Sequence, residues 1–78
     1  MIGMIIRNIR NEANLSQVEL GKMLSMRDTT ISSYERENSQ PDFETIMKIA
    51  KIGGYEIVFK NKNGDIFTVE EMSKEKDF

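Results

Sequence analysis

Residues 16–37, SQVELGKMLSMRDTTISSYERE, constrain the fold more than any other stretch, because two short helix-forming runs stand there with almost nothing between them. Ser16 is a good N-cap residue and opens the first run. In the second, Ile31 and Tyr34 fall three apart, a spacing that puts both on one helical face. Between the runs lies Ser25-Met26, room for a tight turn and nothing more. Two helices joined this closely cross at a steep angle, which leaves one face of the second uncovered. The spacing therefore predicts a helix-turn-helix whose second helix is shaped to enter the major groove of DNA.

The flanking sequence supports that centre. Ile2, Ile6, Ile9 and Ala13 recur at spacings of four, three and four, so residues 2–13 read as an amphipathic helix with Asn14 as its stop. In the next helix, residues 17–24, Leu20 and Leu24 face inward and Gly21 marks a close approach of two helices. The third helix runs from about residue 28 to 36, with Met26, Ile31 and Tyr34 as its buried points. Thr29, Thr30, Ser32 and Ser33 are poor helix formers. Such short hydroxyl side chains suit close approach to a base edge or a phosphate; the alternative is a merely solvated face. After a loop at residues 38–42, Pro41 suits a helical first turn, and Phe43, Ile46, Ile49 and Ala50 give a fourth helix its inward stripe through about residue 52.

Gly53-Gly54 ends that helix, and the period changes. YEIVFK, NKNG and DIFTVE read as a β-hairpin with strands near residues 55–60 and 65–69, Gly64 taking a positive φ in the turn. The tail EMSKEKDF is charged, aperiodic and expected to be disordered. The chain thus divides into a helical head (1–54), a hairpin (55–70) and a tail (71–78).

Composition excludes several classes. Among 78 residues there is no cysteine and no histidine, so disulfides, zinc fingers and His-based catalysis are absent and a metal would have only carboxylates to hold it. No nucleophile–base set and no phosphate-cradling glycine loop is present, so neither an enzyme nor a cofactor is expected. The opening MIGMIIRNIR carries arginines and is too short to span a membrane, and a cysteine-free chain fits a reducing cytoplasm. The charge is unevenly placed. Residues 1–54 hold seven basic side chains (Arg7, Arg10, Lys22, Arg27, Arg36, Lys48, Lys51) and seven acidic ones (Glu12, Glu19, Asp28, Glu35, Glu37, Asp42, Glu44). Residues 55–78 supply the whole net −2. A neutral head is a weak electrostatic magnet for DNA, which a dimer with helix N-termini aimed at phosphates would offset.

Four segments, in this order and spacing, resemble the Cro/C1-type (XRE, phage lambda repressor-like) helix-turn-helix family. They are Ile2-Gly3 with Ile6 to Arg10, the LSQ..L of Leu15 to Leu20, the TIS.YE of Thr30 to Glu35, and Pro41 to Ala50. The resemblance covers about residues 2–52. It implies a mainly α fold, a five-helix lambda repressor-like DNA-binding domain, here followed by a C-terminal β-hairpin. It also implies a bacterial or phage protein that binds double-stranded DNA operators as a homodimer. Carried over position by position, Gln17 would contact a phosphate, while Asp28, Thr29, Ser32 and Ser33 would face the major groove. Arg36, Asn38 and Ser39 would touch backbone phosphates, with Arg27 and Thr30 completing the DNA-facing set. Arg10 and Glu35 match a structural salt bridge between the first helix and the recognition helix. Many antitoxins of toxin–antitoxin pairs resemble the same family and bind their own promoter, so a toxin protein is the alternative partner.

Three positions depart from the family pattern. Ser25 stands where the turn glycine is usual, so it faces a left-handed conformation at some cost, and Glu37 replaces another frequent glycine. Arg27 stands where a Ser or Thr cap is common, which leaves two readings of Asp28: a base reader accepting from cytosine N4, or the displaced helix N-cap. Met4, Ile5, Val18 and Met23 are apolar where the family is usually polar. The hairpin carries apolar residues on both faces (Tyr55, Ile57, Phe59, Ile66, Phe67, Val69), and a lone two-stranded hairpin is marginal in water. Those residues are expected to form a dimer interface; packing on Met4 and Ile5, or folding back on the head, are the alternatives.

Overall fold

A computed structural model describes residues 1–75. Four helices form the head: α1 (Ile2–Glu12), α2 (Gln17–Met23), α3 (Asp28–Glu35) and α4 (Phe43–Ile52). An antiparallel hairpin of β1 (Val58–Lys60) and β2 (Ile66–Thr68) follows, and a one-turn helix α5 (Val69–Met72) closes the described chain. The protein is mainly helical with a C-terminal hairpin, and the fifth helix comes after the strands instead of completing the head.

The core is small. Ile6, Leu20, Ile31 and Ile49, one from each head helix, are at most 1% exposed. Ile2, Ile9, Leu15, Leu24, Met26, Tyr34 and Ile52 pack around them. Each of the four buried side chains contributes about 1.5–3 kcal/mol from burial alone, so losing one removes a large share of a small domain's stability. Gly21 lies where α2 meets the turn: a Cβ there would stand 2.6 Å from the Met26 carbonyl oxygen. The same closure brings the Met26 N–H onto the Gly21 carbonyl at 2.7 Å, with Ser25 left-handed at φ 57° between them.

Helix ends explain the remaining boundaries. Ser16 and Glu19 form a reciprocal capping box on α2, and Asp42 accepts from the Thr45 N–H at 2.8 Å to cap α4. Pro41 therefore precedes the cap, buried, and does not occupy the first turn as its residue type suggested. At the other end of the chain, Thr68 caps α5 through a second capping box with Glu71. This box pulls the backbone out of the extended conformation, so β2 stops at Thr68 and Val69 is helical, not part of a strand. Glu71 and Met72, read as the start of a disordered tail, lie in α5, and residues 76–78 of that tail fall outside the described residues. Residues 55–57 form an unpaired link, so β1 begins three residues later than the alternation implied.

Beyond the core, the molecule is elongated, 43 × 22 × 21 Å. The hairpin packs on α5 and projects as an arm. It does not cover Met4 and Ile5, which stay 55% and 43% exposed.

Candidate DNA-reading face

The outer face of α3 is set by helical geometry. Asp28, Thr29, Ser32, Ser33 and Arg36 recur at i, i+1, i+4, i+5 and i+8 and share one side of the helix. The opposite side buries Ile31 in the core and Glu35 against α1. Asp28, Thr29 and Arg36 are exposed, while Thr30, Ser32 and Ser33 are half-buried at the flanks. Arg27 is exposed before the helix, Asn38 and Ser39 after it. The Ser33 and Ser39 hydroxyls hydrogen-bond to each other at 2.8 Å, and the Asn38 N–H donates to the Ser33 carbonyl at 2.9 Å. The loop after α3 is thereby fastened to the face it extends.

The N-terminus of α3 separates the two readings of Asp28. Arg27 is the N-cap, with extended φ −75° and ψ 152° and no side-chain cap bond, and Asp28 is the first helical residue. The cap has not moved to Asp28. The physical cause is the closure at Gly21, which fixes the backbone through Arg27 and starts the helix one residue earlier than a capping aspartate requires. The Asp28 carboxylate makes no hydrogen bond or ion pair among the described residues, and the first turn of α3 keeps backbone N–H groups open to an outside acceptor.

Behind the face lies a buried carboxylate. The Glu35 side chain is fully excluded from solvent, and Arg10 grips it twice, Nε donating to Oε2 at 2.6 Å and Nη2 to Oε1 at 3.0 Å. Arg10 Nη1 also donates to the Leu15 carbonyl at 2.8 Å, so one guanidinium ties together α1, the α1–α2 link and α3. Gln17 Nε2 and Arg7 Nε reach Glu35 Oε1 at 3.3 and 3.4 Å. Burial alone would push the Glu35 carboxyl up. The hydrogen bonds and charge of Arg10, with Gln17 and Arg7, outweigh it and hold the carboxyl below the ordinary glutamate value. Gln17 thus already has an internal partner, and of its amide protons only one is committed. Arg7 is a member that the sequence reading did not name; its spacing of three from Arg10, which puts both on one face of α1, is the signal for it, and its side chain stays 44% exposed.

Glu37 was likewise illegible as a functional group. Left-handed at φ 62°, it points its carboxylate back to α1, accepting from the Gly3 N–H at 2.8 Å and from the Met1 amino group. It thereby serves the uncapped N-terminus of α1. Gly3 is required there, because a Cβ would stand 2.6 Å from the Glu35 carbonyl oxygen. On the arm, Phe59 pairs with Phe67 across the strands, and Ile57 follows Phe59's face by alternation. Ile66, Tyr55, Phe59 and Val58 remain exposed, while Ile57, Phe67 and Val69 are half-buried. Val58, opposite Thr68, lies on the other face from Phe59, where the alternation from Tyr55 puts it.

The helix-turn-helix family model of the Cro/C1 (XRE) type matches residues 6–59. The chain is also similar to Antitoxin HigA1 of two strains of Mycobacterium tuberculosis, 37% identical over 43 residues, a match covering 55% of this chain and 29% of that protein. The chain therefore spans under a third of the length of the curated relatives it matches. No solved structure matches.

Proposed function

As the chain belongs to the Cro/C1-type helix-turn-helix family and is a DNA-binding transcriptional regulator, we propose that it is a sequence-specific repressor acting as a homodimer on a palindromic operator. The observation that carries this reading is the outer face of α3, whose short polar side chains stand on a helix locked from behind by the buried Glu35–Arg10 junction. Thr29 and Ser32 are small enough for base edges to approach. Asp28, free of any capping duty, is the acceptor for a cytosine N4 amino group. Arg27, Arg36, Asn38, Ser39 and the second amide proton of Gln17 are assigned to phosphates, with the open N–H groups at the start of α3 adding a backbone contact. Ser33 and Thr30 shape the face from its flanks. The apolar arm, with Tyr55, Ile57, Phe59, Ile66, Phe67 and Val69, is assigned to the dimer, and the cytoplasm is where such a regulator meets its operator.

The test is selection of bound DNA from a random pool. The expected product is a palindrome with half-sites one helical turn apart, bound with an affinity that falls steeply as salt rises. Sequence-indifferent binding at physiological salt, or no binding, overturns the reading. A second reading, an antitoxin that binds a toxin protein and its own promoter, is favoured by the similarity to Antitoxin HigA1. Co-purification with the product of a neighbouring reading frame separates it from the first.

A further inference from the structure

The chain leaves the head through Tyr55. At the end of α4 the Gly54 N–H donates to the Lys51 carbonyl at 3.0 Å and the Tyr55 N–H to the Ala50 carbonyl at 2.8 Å. These are the paired bonds of a Schellman motif, with Gly54 left-handed at φ 82°. They fix the Tyr55 backbone on α4. The Tyr55 hydroxyl then reaches the last residue of α1 and donates to the Glu12 carboxylate, a charge-assisted bond between positions 43 residues apart. One side chain thus joins the ends of two head helices at the point where the arm departs.

Beyond that point the arm is lightly braced. Glu56 and Ile57 precede the ladder, which starts at Val58. On one side of this link an open groove of about 410 Å³ separates Met47 and Lys51 of α4 from Thr68 and Val69. On the other side Ile57, half-buried, shares a groove of about 290 Å³ with Ile5 and Ile9 of α1, Ile46 of α4 and Tyr55 itself. The Tyr55 ring is therefore one wall of the seat that receives Ile57, and the hydroxyl bond to Glu12 decides where that wall stands.

We propose that Tyr55 and Glu12 are positioning residues for operator binding: their hydrogen bond fixes the angle between arm and head, and with it the separation of the two recognition helices in the dimer. The proposal rests on the homodimer reading above, with the arms carrying the interface.

A dimer joined through its arms holds its heads at a distance set by the two arm–head junctions. Once one head is on DNA, the other binds at an effective concentration that is highest when this distance matches the half-site spacing. A loose junction spreads the second head over positions away from its half-site, and ordering it again costs affinity. Without the hydroxyl bond the Tyr55 ring, 47% exposed, is free to change rotamer, Ile57 loses a wall, and the link of Glu56 and Ile57 is left to set the angle alone.

The test uses the full chain and three duplexes: the palindrome that the wild type selects from a random pool, its isolated half-site, and the palindrome with one base pair inserted at its centre. Glu12→Ala removes the acceptor at an exposed helix end, and Glu12→Gln drops the same charge while keeping an acceptor oxygen. With folding checked by circular dichroism, Glu12→Ala is expected to leave the dimer dissociation constant and the half-site affinity within about twofold of wild type, and to weaken palindrome binding by about five- to tenfold. It is also expected to tolerate the inserted base pair, a lengthening of about 3.4 Å, better than the wild type does. Tyr55→Phe, which keeps the ring and removes the donor, is expected to reproduce the loss on the palindrome, and Glu12→Gln to stay within about threefold of wild type. A wild type that is monomeric or selects no palindrome overturns the homodimer reading and this proposal together. A dimeric wild type whose Glu12→Ala variant binds the palindrome equally well, or loses as much on the half-site, overturns this proposal alone. So does a Glu12→Gln variant as weak as Glu12→Ala.

Discussion

Glu35 is the residue on which the candidate face depends, and its energetics follow from its burial. A carboxylate with no solvent is tolerable only because Arg10 binds both of its oxygens; removing one partner leaves the other charge unpaired in a poorly hydrated place. Glu35→Ala or Arg10→Met is therefore expected to cost about 3–5 kcal/mol in urea unfolding at neutral pH. The pH dependence follows from the sign of the shift. The folded-state value of Glu35 lies below its unfolded value, so its contribution is complete above the ordinary carboxylate range near about 4.3 and is lost as pH falls below it. Glu19, with the Ser16 backbone and side chain as its main stabilisers, and Asp42, bonded to Thr45, shift the same way, but both are exposed and weigh less. Acidification below about pH 4 is expected to destabilise the wild type, and Glu35→Gln, though less stable at neutral pH, is expected to lose less over that interval. Equal acid losses in the two proteins would refute this assignment.

At the scale of elements, two of the three non-glycine left-handed residues among the described ones, Ser25 and Glu37, both stand where glycine is frequent and differ in consequence. Ser25 and Glu37 each take a conformation that costs an L-residue about 1–2 kcal/mol. Ser25, exposed and with no side-chain hydrogen bond among the described residues, only ends α2, whereas the Glu37 carboxylate closes the N-terminus of α1. Ser25→Gly is expected to raise stability by up to about 1 kcal/mol, the strain relieved less the extra chain entropy of glycine. Glu37→Gly relieves the same strain and gives up the acceptor of α1's first N–H groups, so it is expected to be neutral or destabilising. Thermal melts of the pair check the contrast, and equal gains in both would remove the capping role of Glu37.

As a whole molecule the chain is a head with an arm. All of its buried hydrophobic cluster lies between Ile6 and Ile49, and the arm adds exposed apolar surface to it. Truncation after Gly54 is expected to leave a helical, folded head that sediments as a monomer and binds an operator palindrome far more weakly, since two half-sites are no longer held by one particle. A truncated protein that remains dimeric would place the interface in the head.

The sequence by itself determined the four head helices, the turn at Ser25, the stripe of core residues and the set of polar residues on α3, because apolar period, caps and glycines act over a few residues. Part of the difference is also local: the Thr68–Glu71 capping box is visible as T-x-x-E, and it overrides the β-alternation of the same residues. The tertiary structure alone decided the rest. It turned Arg7 and Gln17 onto Glu35, sent the Glu37 carboxylate across to α1, and put the α3 cap on Arg27. It also packed the strands on α5 and tied the base of the arm to the head, where the Tyr55 hydroxyl donates to Glu12 of α1. These depend on which side chains meet across distances of 18 to 43 residues along the chain, and no local period encodes such meetings. The stretch of residues 16–37 thus announced a reading helix, and the packing around Glu35 determined how firmly that helix is held.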